Sequence, residues 1–171
     1  MRRAASAIAV IVIVLAIGTP AASADTAVAR VDTGSFDGTS VFELYGETCP
    51  FMHQVFTGTY DPDRPGVRGG SYEAEVCVHD VNGGFTYPFT GVFEVVTGYG
   101  YSLRGTVTGV HNPNMPIATV DATLTVTESP GSRRPVRGTI TITGISNQYY
   151  PAPVGTSIDN GTFAADLHRE N

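Results

Sequence analysis

The feature that most constrains the fold is a strict two-residue alternation of apolar and polar side chains. It is clearest in ATVDATLTVT, residues 118–127, where aliphatic residues alternate with threonine and aspartate. Successive side chains of an extended chain point to opposite faces, so this pattern predicts a β-strand with one apolar and one polar face. YSLRGTVTGV and VRGTITITG repeat the alternation, and no segment has the apolar spacing of an amphipathic helix.

The alternating segments and the turn-forming stretches between them predict eight strands. They lie near residues 35–46, 51–60, 71–80, 85–97, 101–110, 118–128, 136–145 and 156–168. Short strands with tight connections favour a closed barrel, because closure leaves no unpaired sheet edge. The sequence therefore predicts an all-β, eight-stranded antiparallel up-and-down barrel at residues 35–168, with a two-sheet β-sandwich as the alternative.

The N-terminus has the pattern of a secretory signal peptide covering residues 1–24. An arginine pair precedes the apolar run 4–17, and Ala22-Ser23-Ala24 is a small-x-small cleavage motif. We expect cleavage between Ala24 and Asp25, followed by a flexible mature N-terminus at residues 25–34. No second long apolar run follows, so the mature chain is expected to have no membrane span and to be secreted or held in the cell envelope.

Cysteine content and net charge indicate the cellular compartment of the protein and the kind of partner it can bind. Cys49 and Cys77 are the two cysteines of a chain with an export signal, which predicts one disulfide. The chain has ten basic and sixteen acidic residues, for a formal net charge of −6. Nucleic-acid binding needs a cationic surface that neutralises phosphates, so a nucleic-acid partner is not expected.

The segment SYEAEVCVHD places Glu73, Glu75, Cys77 and His79 on one face of a strand. The other face is more apolar and should point inward, so these four residues are predicted to face outward. If the two cysteines are directly opposed, His53 lies opposite Glu73 on that outer face. Two interpretations stay open: a solvated polar face beside the disulfide, or a zinc site of His53, Glu75 and His79.

The inward faces carry a recurring glycine. The same alternation places six mid-strand glycines inside the barrel: Gly38, Gly58, Gly91, Gly105, Gly138 and Gly161. They could bend the strands and make room for aromatic side chains from across the barrel. They could also leave a lumen that holds one small apolar ligand.

Connections of an up-and-down barrel alternate between its two ends, which groups the loops. The end with ETCP, VNGG, HNPNMPI and NQYYPAPVG has the longer loops with aromatic and amide groups. We predict a ligand mouth there. Its candidate residues are His111, Asn114, Tyr149 and Tyr150. Gln54 is added to them because it is a polar residue predicted to point inward.

Two segments, FTYPFTGVFEVVTGYGYSLRGTVTG and LTVTESPGSRRPVRGTITITG, carry a family resemblance. They resemble the allene oxide cyclase and dirigent-like β-barrel group, and most closely small secreted actinobacterial proteins of that architecture. Gly131 and Arg137-Gly138 fit the pattern, whereas Ser129-Pro130 and Arg133 depart from it. The resemblance covers roughly residues 85–165 and implies an eight-stranded barrel with a lumen site. The acid/base residues of the plant enzymes have no counterpart here, and the absence of Trp disfavours lipocalins and biotin binders.

No catalytic motif or cofactor signature is present in the sequence. The favoured function is a non-enzymatic secreted or envelope barrel that binds a small apolar ligand or a protein partner, without a cofactor or a metal. One alternative is an isomerase or cyclase acting on a substrate in the lumen. The other is an outer-membrane barrel, which would place apolar side chains outside. The sequence makes no prediction of the oligomeric state.

Overall fold

A computed structural model describes residues 30–80, 86–114, 117–149 and 154–170 as a closed antiparallel barrel. Every strand pairs with its neighbours in sequence, and β1 pairs with β8 to close the barrel. The strands are β1 Arg30–Leu44, β2 Met52–Pro62, β3 Gly70–Val78, β4 Tyr87–Val96, β5 Ser102–Asn114, β6 Ile117–Glu128, β7 Val136–Tyr149 and β8 Val154–Arg169. The predicted eight-stranded up-and-down barrel is confirmed, and the sandwich alternative is wrong.

The N-terminal boundary of the barrel differs from the prediction. Strand β1 begins at Arg30, and its first residues pair with β8, from Arg30 opposite Leu167 to Gly34 opposite Phe163. Residues 30–34 are therefore part of the barrel, not of a flexible terminus. Arg30–Gly34 is mostly polar, so its sequence does not indicate a strand. These residues are part of the sheet because they pair with β8. The predicted signal peptide and the cleavage site at Ala24 and Asp25 lie outside the described residues.

The alternation along the strands correctly predicted the two faces of the sheet. On β6 the five inward residues Ala118, Val120, Ala122, Leu124 and Val126 are all buried. Their neighbours Asp121, Thr125 and Thr127 are exposed. The buried apolar residues of all the strands form one cluster inside the barrel, which includes Phe42, Val76, Phe89, Phe93 and Ile140. Burial of this apolar surface is the main driving force for closing the sheet.

The disulfide is confirmed, but the strand register inferred from it was wrong. Cys49 and Cys77 are bonded, with Cα atoms 5.4 Å apart. Cys49 lies in the loop before β2, so it does not occupy a paired position, and His53 pairs with Cys77 rather than with Glu73. The shift is an even number of residues, which explains why the faces were still assigned correctly.

Within the described part of the chain, no helix is long and apolar enough to cross a membrane.

Candidate functional site

The two ends of the barrel are defined by the loops they carry. The arginine end carries residues 63–69, 97–101 and 129–135, which include Arg64, Arg68, Arg133 and Arg134. The disulfide end carries residues 45–51, which include Cys49. Strands β2, β4, β6 and β8 begin at this end. These ends differ in how the inside of the barrel is filled.

A cavity of about 240 Å³ occupies the inside of the barrel and opens at the arginine end. Pro62, Val67, Arg68 and Tyr99 contribute to its lining from the loops and strand ends at that mouth. Its walls come from inward residues of the strands: Phe36, Phe56, Tyr60, Phe93, Leu103, Val107, Leu124, Ile142 and Phe163. A largely apolar pocket with few polar groups is the usual form of a small-molecule site.

Aromatic side chains pack over the inward glycines, and the cavity remains between them. A Cβ atom at Gly161 would lie 2.8 Å from Cε1 of Phe36, and one at Gly105 would lie 3.1 Å from Cε1 of Phe93. Phe163 meets Tyr60 edge to face, with ring centroids 5.8 Å apart. The glycines therefore accommodate aromatic rings, as the first interpretation requires, and a cavity also remains, whereas a ligand in it stays a prediction.

One row of paired inward positions has a polar residue at each of its ends. The row runs across five strands, from Ser146 on β7 through Asp159, Gly38 and Gly58 to Tyr72 on β3. A Cβ at Gly58 would lie 2.6 Å from Oη of Tyr72, and a Cβ at Gly38 would collide with the same atom. The two glycines thus let the Tyr72 side chain cross β2 and β1 and bring its hydroxyl towards Asp159.

Electrostatics agree with this placement. Burial, together with the nearby carboxylates of Asp159 and Asp37, raises the pKa of Tyr72 well above its ordinary value. The phenol is therefore protonated at neutral pH. Asp159 is 4% exposed, and both Asp159 and Tyr72 line the cavity.

The mouth of the cavity has its own group of tyrosines. Burial raises the pKa of Tyr60 to about 12, with smaller contributions from Tyr101 and Tyr99. Oη of Tyr99 donates a hydrogen bond to the carbonyl oxygen of Gly66 at 3.3 Å, which joins the loops 63–69 and 97–101. The Arg64 guanidinium lies 3.6 Å from the Asp32 carboxylate beside the same opening. The mouth is thus aromatic and mixed in charge.

The predicted site residues lie elsewhere or outside the described side chains. Gln54 and His111 do point inward and are buried, but they are not among the residues that line this cavity. Gln54 donates to Oγ of Ser40 at 2.6 Å, and burial lowers the pKa of His111 to about 4, so its ring is neutral. The side chains of Asn114 and Tyr149, and all of Tyr150, lie outside the described part, so a second mouth at the disulfide end stays a prediction.

The outward polar face of β3 is confirmed. Glu73, Glu75 and His79 are exposed, and Nε2 of His53 lies 2.9 Å from Oε1 of Glu75. His79 instead contacts Thr90, with Nε2 3.2 Å from Oγ1. Among the described residues, no group of three or more His, Cys, Asp and Glu side chains is placed to hold a metal ion.

Aromatic packing and the disulfide hold the loop 45–51 at the disulfide end. The ring of Phe51 stacks on Tyr87 with centroids 5.2 Å apart, and Tyr45 meets Phe51 edge to face at 6.0 Å. Cys49 is fully buried, and the bond to Cys77 anchors this loop to β3. The described residues thus pack the disulfide end, while the arginine end gives access to the lumen.

No protein-family model, curated protein or solved structure matches this chain.

Three buried polar residues on the inward faces of the strands were not predicted from the sequence: Ser40, Ser146 and Asp159. Ser146 is fully buried, and Ser40 and Asp159 are only 1% and 4% exposed. The alternation that places Phe42 and Ile142 inward also places Ser40 and Ser146 inward, so the signal was present. A serine is small enough to stand on either face of a strand, so the alternation of large apolar residues does not single it out.

Proposed function

We propose that this protein is a non-enzymatic secreted or envelope-associated barrel that holds one small apolar ligand in its lumen. The observation that carries the proposal is the cavity of about 240 Å³, which is lined mainly by aromatic and aliphatic side chains and is open at the arginine end. An engineered apolar cavity of about 150 Å³ is enough to bind benzene. The lumen therefore has room for a ligand of roughly bicyclic size.

Two further features support an exported protein and disfavour an outer-membrane barrel. The buried disulfide fits an oxidising compartment, in line with the export signal predicted at residues 1–24. The inward direction of the apolar side chains is the reverse of what the outer-membrane alternative requires. The resemblance to the allene oxide cyclase and dirigent-like group is compatible with a lumen site and stays a prediction.

Native mass spectrometry of the protein purified from its source tests the proposal. We expect a small apolar molecule to be retained in the native spectrum and released on denaturation. The matched control is Ala74→Leu, which extends a side chain that lines the cavity. This variant should fold with an unchanged β-sheet circular dichroism spectrum and carry less ligand. A native protein that carries no molecule and takes up no added apolar probe would refute the proposal.

The second candidate is an isomerase or cyclase that acts on a molecule bound in the lumen. A buried carboxyl, Asp159, beside the phenol of Tyr72 inside the cavity favours it, because such pairs can transfer protons. For this candidate, Asp159→Asn should keep ligand binding and lose conversion of the ligand. If the ligand recovered from the lumen is unchanged after incubation with the wild-type protein, the binding function is favoured.

A further inference from the structure

The positive charge of the chain is concentrated at the arginine end. Residues 25–171 contain eight arginines, no lysine and sixteen acidic residues. The three loops at this end, 63–69, 97–101 and 129–135, carry four of these arginines and a single acid, Asp63. Their formal charge is +3, whereas the rest of residues 25–171 has four arginines against fifteen acids. The protein therefore has one positive end and an acidic remainder.

Three of the four loop arginines are placed to contact a partner. Only the guanidinium of Arg64 has an acidic neighbour, Asp32 at 3.6 Å. Arg68, Arg133 and Arg134 are exposed, and none of them forms an ion pair with another described residue. Their charges are therefore available to an anionic partner.

The three loops form one continuous surface, and the first two of them line the mouth of the cavity. Oη of Tyr99 donates to the carbonyl oxygen of Gly66 at 3.3 Å, which joins the first loop to the second. The amide of Ser102, directly after the second loop, donates to the carbonyl oxygen of Pro130 in the third loop at 3.0 Å. The exposed arginines thus share a surface with Tyr99, which is 57% exposed.

Exposed guanidinium groups, an exposed tyrosine and an apolar opening together match the surface of an anionic bilayer. Arginine binds phosphate groups through paired hydrogen bonds, and each basic residue close to an anionic membrane strengthens binding roughly fivefold. Tyrosine is favoured at the boundary between head groups and acyl chains, where its ring is buried and its hydroxyl stays in water. A soluble polyanion would contact the arginines but leave Tyr99 and the apolar mouth in water.

We propose that the protein docks its arginine end on an anionic phospholipid membrane, with Arg68, Arg133 and Arg134 at the phosphate groups and Tyr99 in the interface. The acidic remainder of the barrel then points away from the membrane. In this orientation the mouth of the cavity faces the bilayer, so an apolar ligand passes between membrane and lumen without crossing water. The inference goes beyond the lumen-binding function and does not depend on it, since docking needs no ligand.

Co-sedimentation of the mature protein with lipid vesicles measures the docking. One set of vesicles contains phosphatidylcholine alone, and the other contains phosphatidylcholine with an equal part of phosphatidylglycerol. We expect at least about tenfold tighter binding to the anionic vesicles. This preference should disappear at about 1 M salt, where the Debye length is about 3 Å.

Two double variants with the same change in charge test the role of the loop arginines. Arg133→Gln with Arg134→Gln should weaken binding to the anionic vesicles by about tenfold or more. The matched control is Arg104→Gln with Arg137→Gln, which removes two arginines that lie on strands and already have ion-pair partners. This control should bind the vesicles nearly as tightly as the wild type.

Single tryptophan reporters identify the end that docks. The chain contains no Trp, so Tyr99→Trp and Tyr45→Trp each introduce one fluorophore, at the arginine end and at the disulfide end. We expect anionic vesicles to shift the emission of Tyr99→Trp to shorter wavelength. The emission of Tyr45→Trp should stay unchanged, because Tyr45 is 76% exposed at the opposite end of the barrel.

The outcomes separate this inference from the lumen-binding function, which native mass spectrometry tests without vesicles. Equal binding to neutral and anionic vesicles, or an equal loss of binding in the two double variants, would overturn the docking proposal. A shift of Tyr45→Trp in place of Tyr99→Trp would overturn it as well. Binding to dextran sulfate without binding to anionic vesicles would replace the membrane by a soluble polyanion as the partner of this end.

Discussion

The two ends of this barrel are built from the same alternating strands, yet their described side chains differ: those at the disulfide end are packed, whereas those at the arginine end surround a cavity. At the disulfide end, Phe42 and Val78 are each 1% exposed, and the loop that contains Phe51 is bonded through Cys49 to β3. At the arginine end, the inward residues Tyr60, Tyr72 and Phe163 are only half-buried, because they face the cavity. Stability and binding are therefore expected to depend on different ends.

This division has a physical cause in how the strands fill the barrel. A closed eight-stranded barrel has an interior just wide enough to be filled by side chains. At the level of Gly38 and Gly58 two neighbouring strands contribute no side chain, and the ring of Tyr72 takes their place. Glycine pairs of this kind allow a cavity to persist in a sheet whose polar and apolar faces are otherwise regular.

The largest expected contrast is between phenylalanines at the two ends. Phe42→Ala should cost about 3–5 kcal/mol of unfolding free energy, because it leaves a void in a packed region. Phe163→Ala should cost about half as much, since the Phe163 ring already lacks neighbours on its cavity side. Chemical denaturation of both variants measures the difference. Equal costs would mean that the arginine end is packed as tightly as the disulfide end.

How far the sequence predicts this molecule depends on whether the information is local. The alternation that is clearest in residues 118–127 recurs along the chain, and it determines which side chains face inward. Together with the turn-forming stretches it predicts the eight strands. Pairing between strands is not local: the Cys49–Cys77 bond brings two segments together, but Cys49 lies before β2, so the bond does not define the register. The position of the cavity was not predictable, because it depends on the summed volume of side chains from eight strands. Ser40, Ser146 and Asp159 could have been found from their positions on the inward face.

Removal of the disulfide is the second test of whether stability and binding depend on different ends of the barrel. Replacing both Cys49 and Cys77 by Ala should cost about 3–4 kcal/mol, the value expected for a crosslink between residues 28 apart in sequence. Affinity for 2-methylnaphthalene, used as an apolar probe of the cavity, should be unchanged at a temperature where the variant is folded, because the described cavity opens at the arginine end. Reduced wild-type protein provides the matched control. Loss of probe affinity in the folded variant would show that the disulfide end shapes the binding site.

The buried His111 should make the stability of the barrel depend on pH. Its pKa is about 4 in the folded protein against 6.5 ordinarily, so below pH 6.5 the unfolded chain binds a proton that the folded protein does not. Unfolding free energy should therefore fall as the pH is lowered from about 6.5 to about 4, by up to about 3 kcal/mol. Denaturation across this range, compared with His111→Gln, isolates the contribution. The exposed His79→Gln variant controls for the loss of a histidine as such, and a similar flattening in both variants would contradict the assignment to His111.

The smallest expected effect on stability, and the most specific effect on binding, comes from the tyrosine at the mouth. Tyr99 is 57% exposed, and its hydroxyl bonds the Gly66 carbonyl across the two loops that border the opening. Tyr99→Ala should change the unfolding free energy by less than about 1 kcal/mol, since exposed contacts contribute little. It should nevertheless speed dissociation of the methylnaphthalene probe several-fold, because the probe leaves between these loops. Tyr45→Ala is the matched control, as Tyr45 is 76% exposed at the disulfide end. Stopped-flow fluorescence gives both rates, and equal dissociation rates in the two variants would mean that the ligand does not leave through the arginine end.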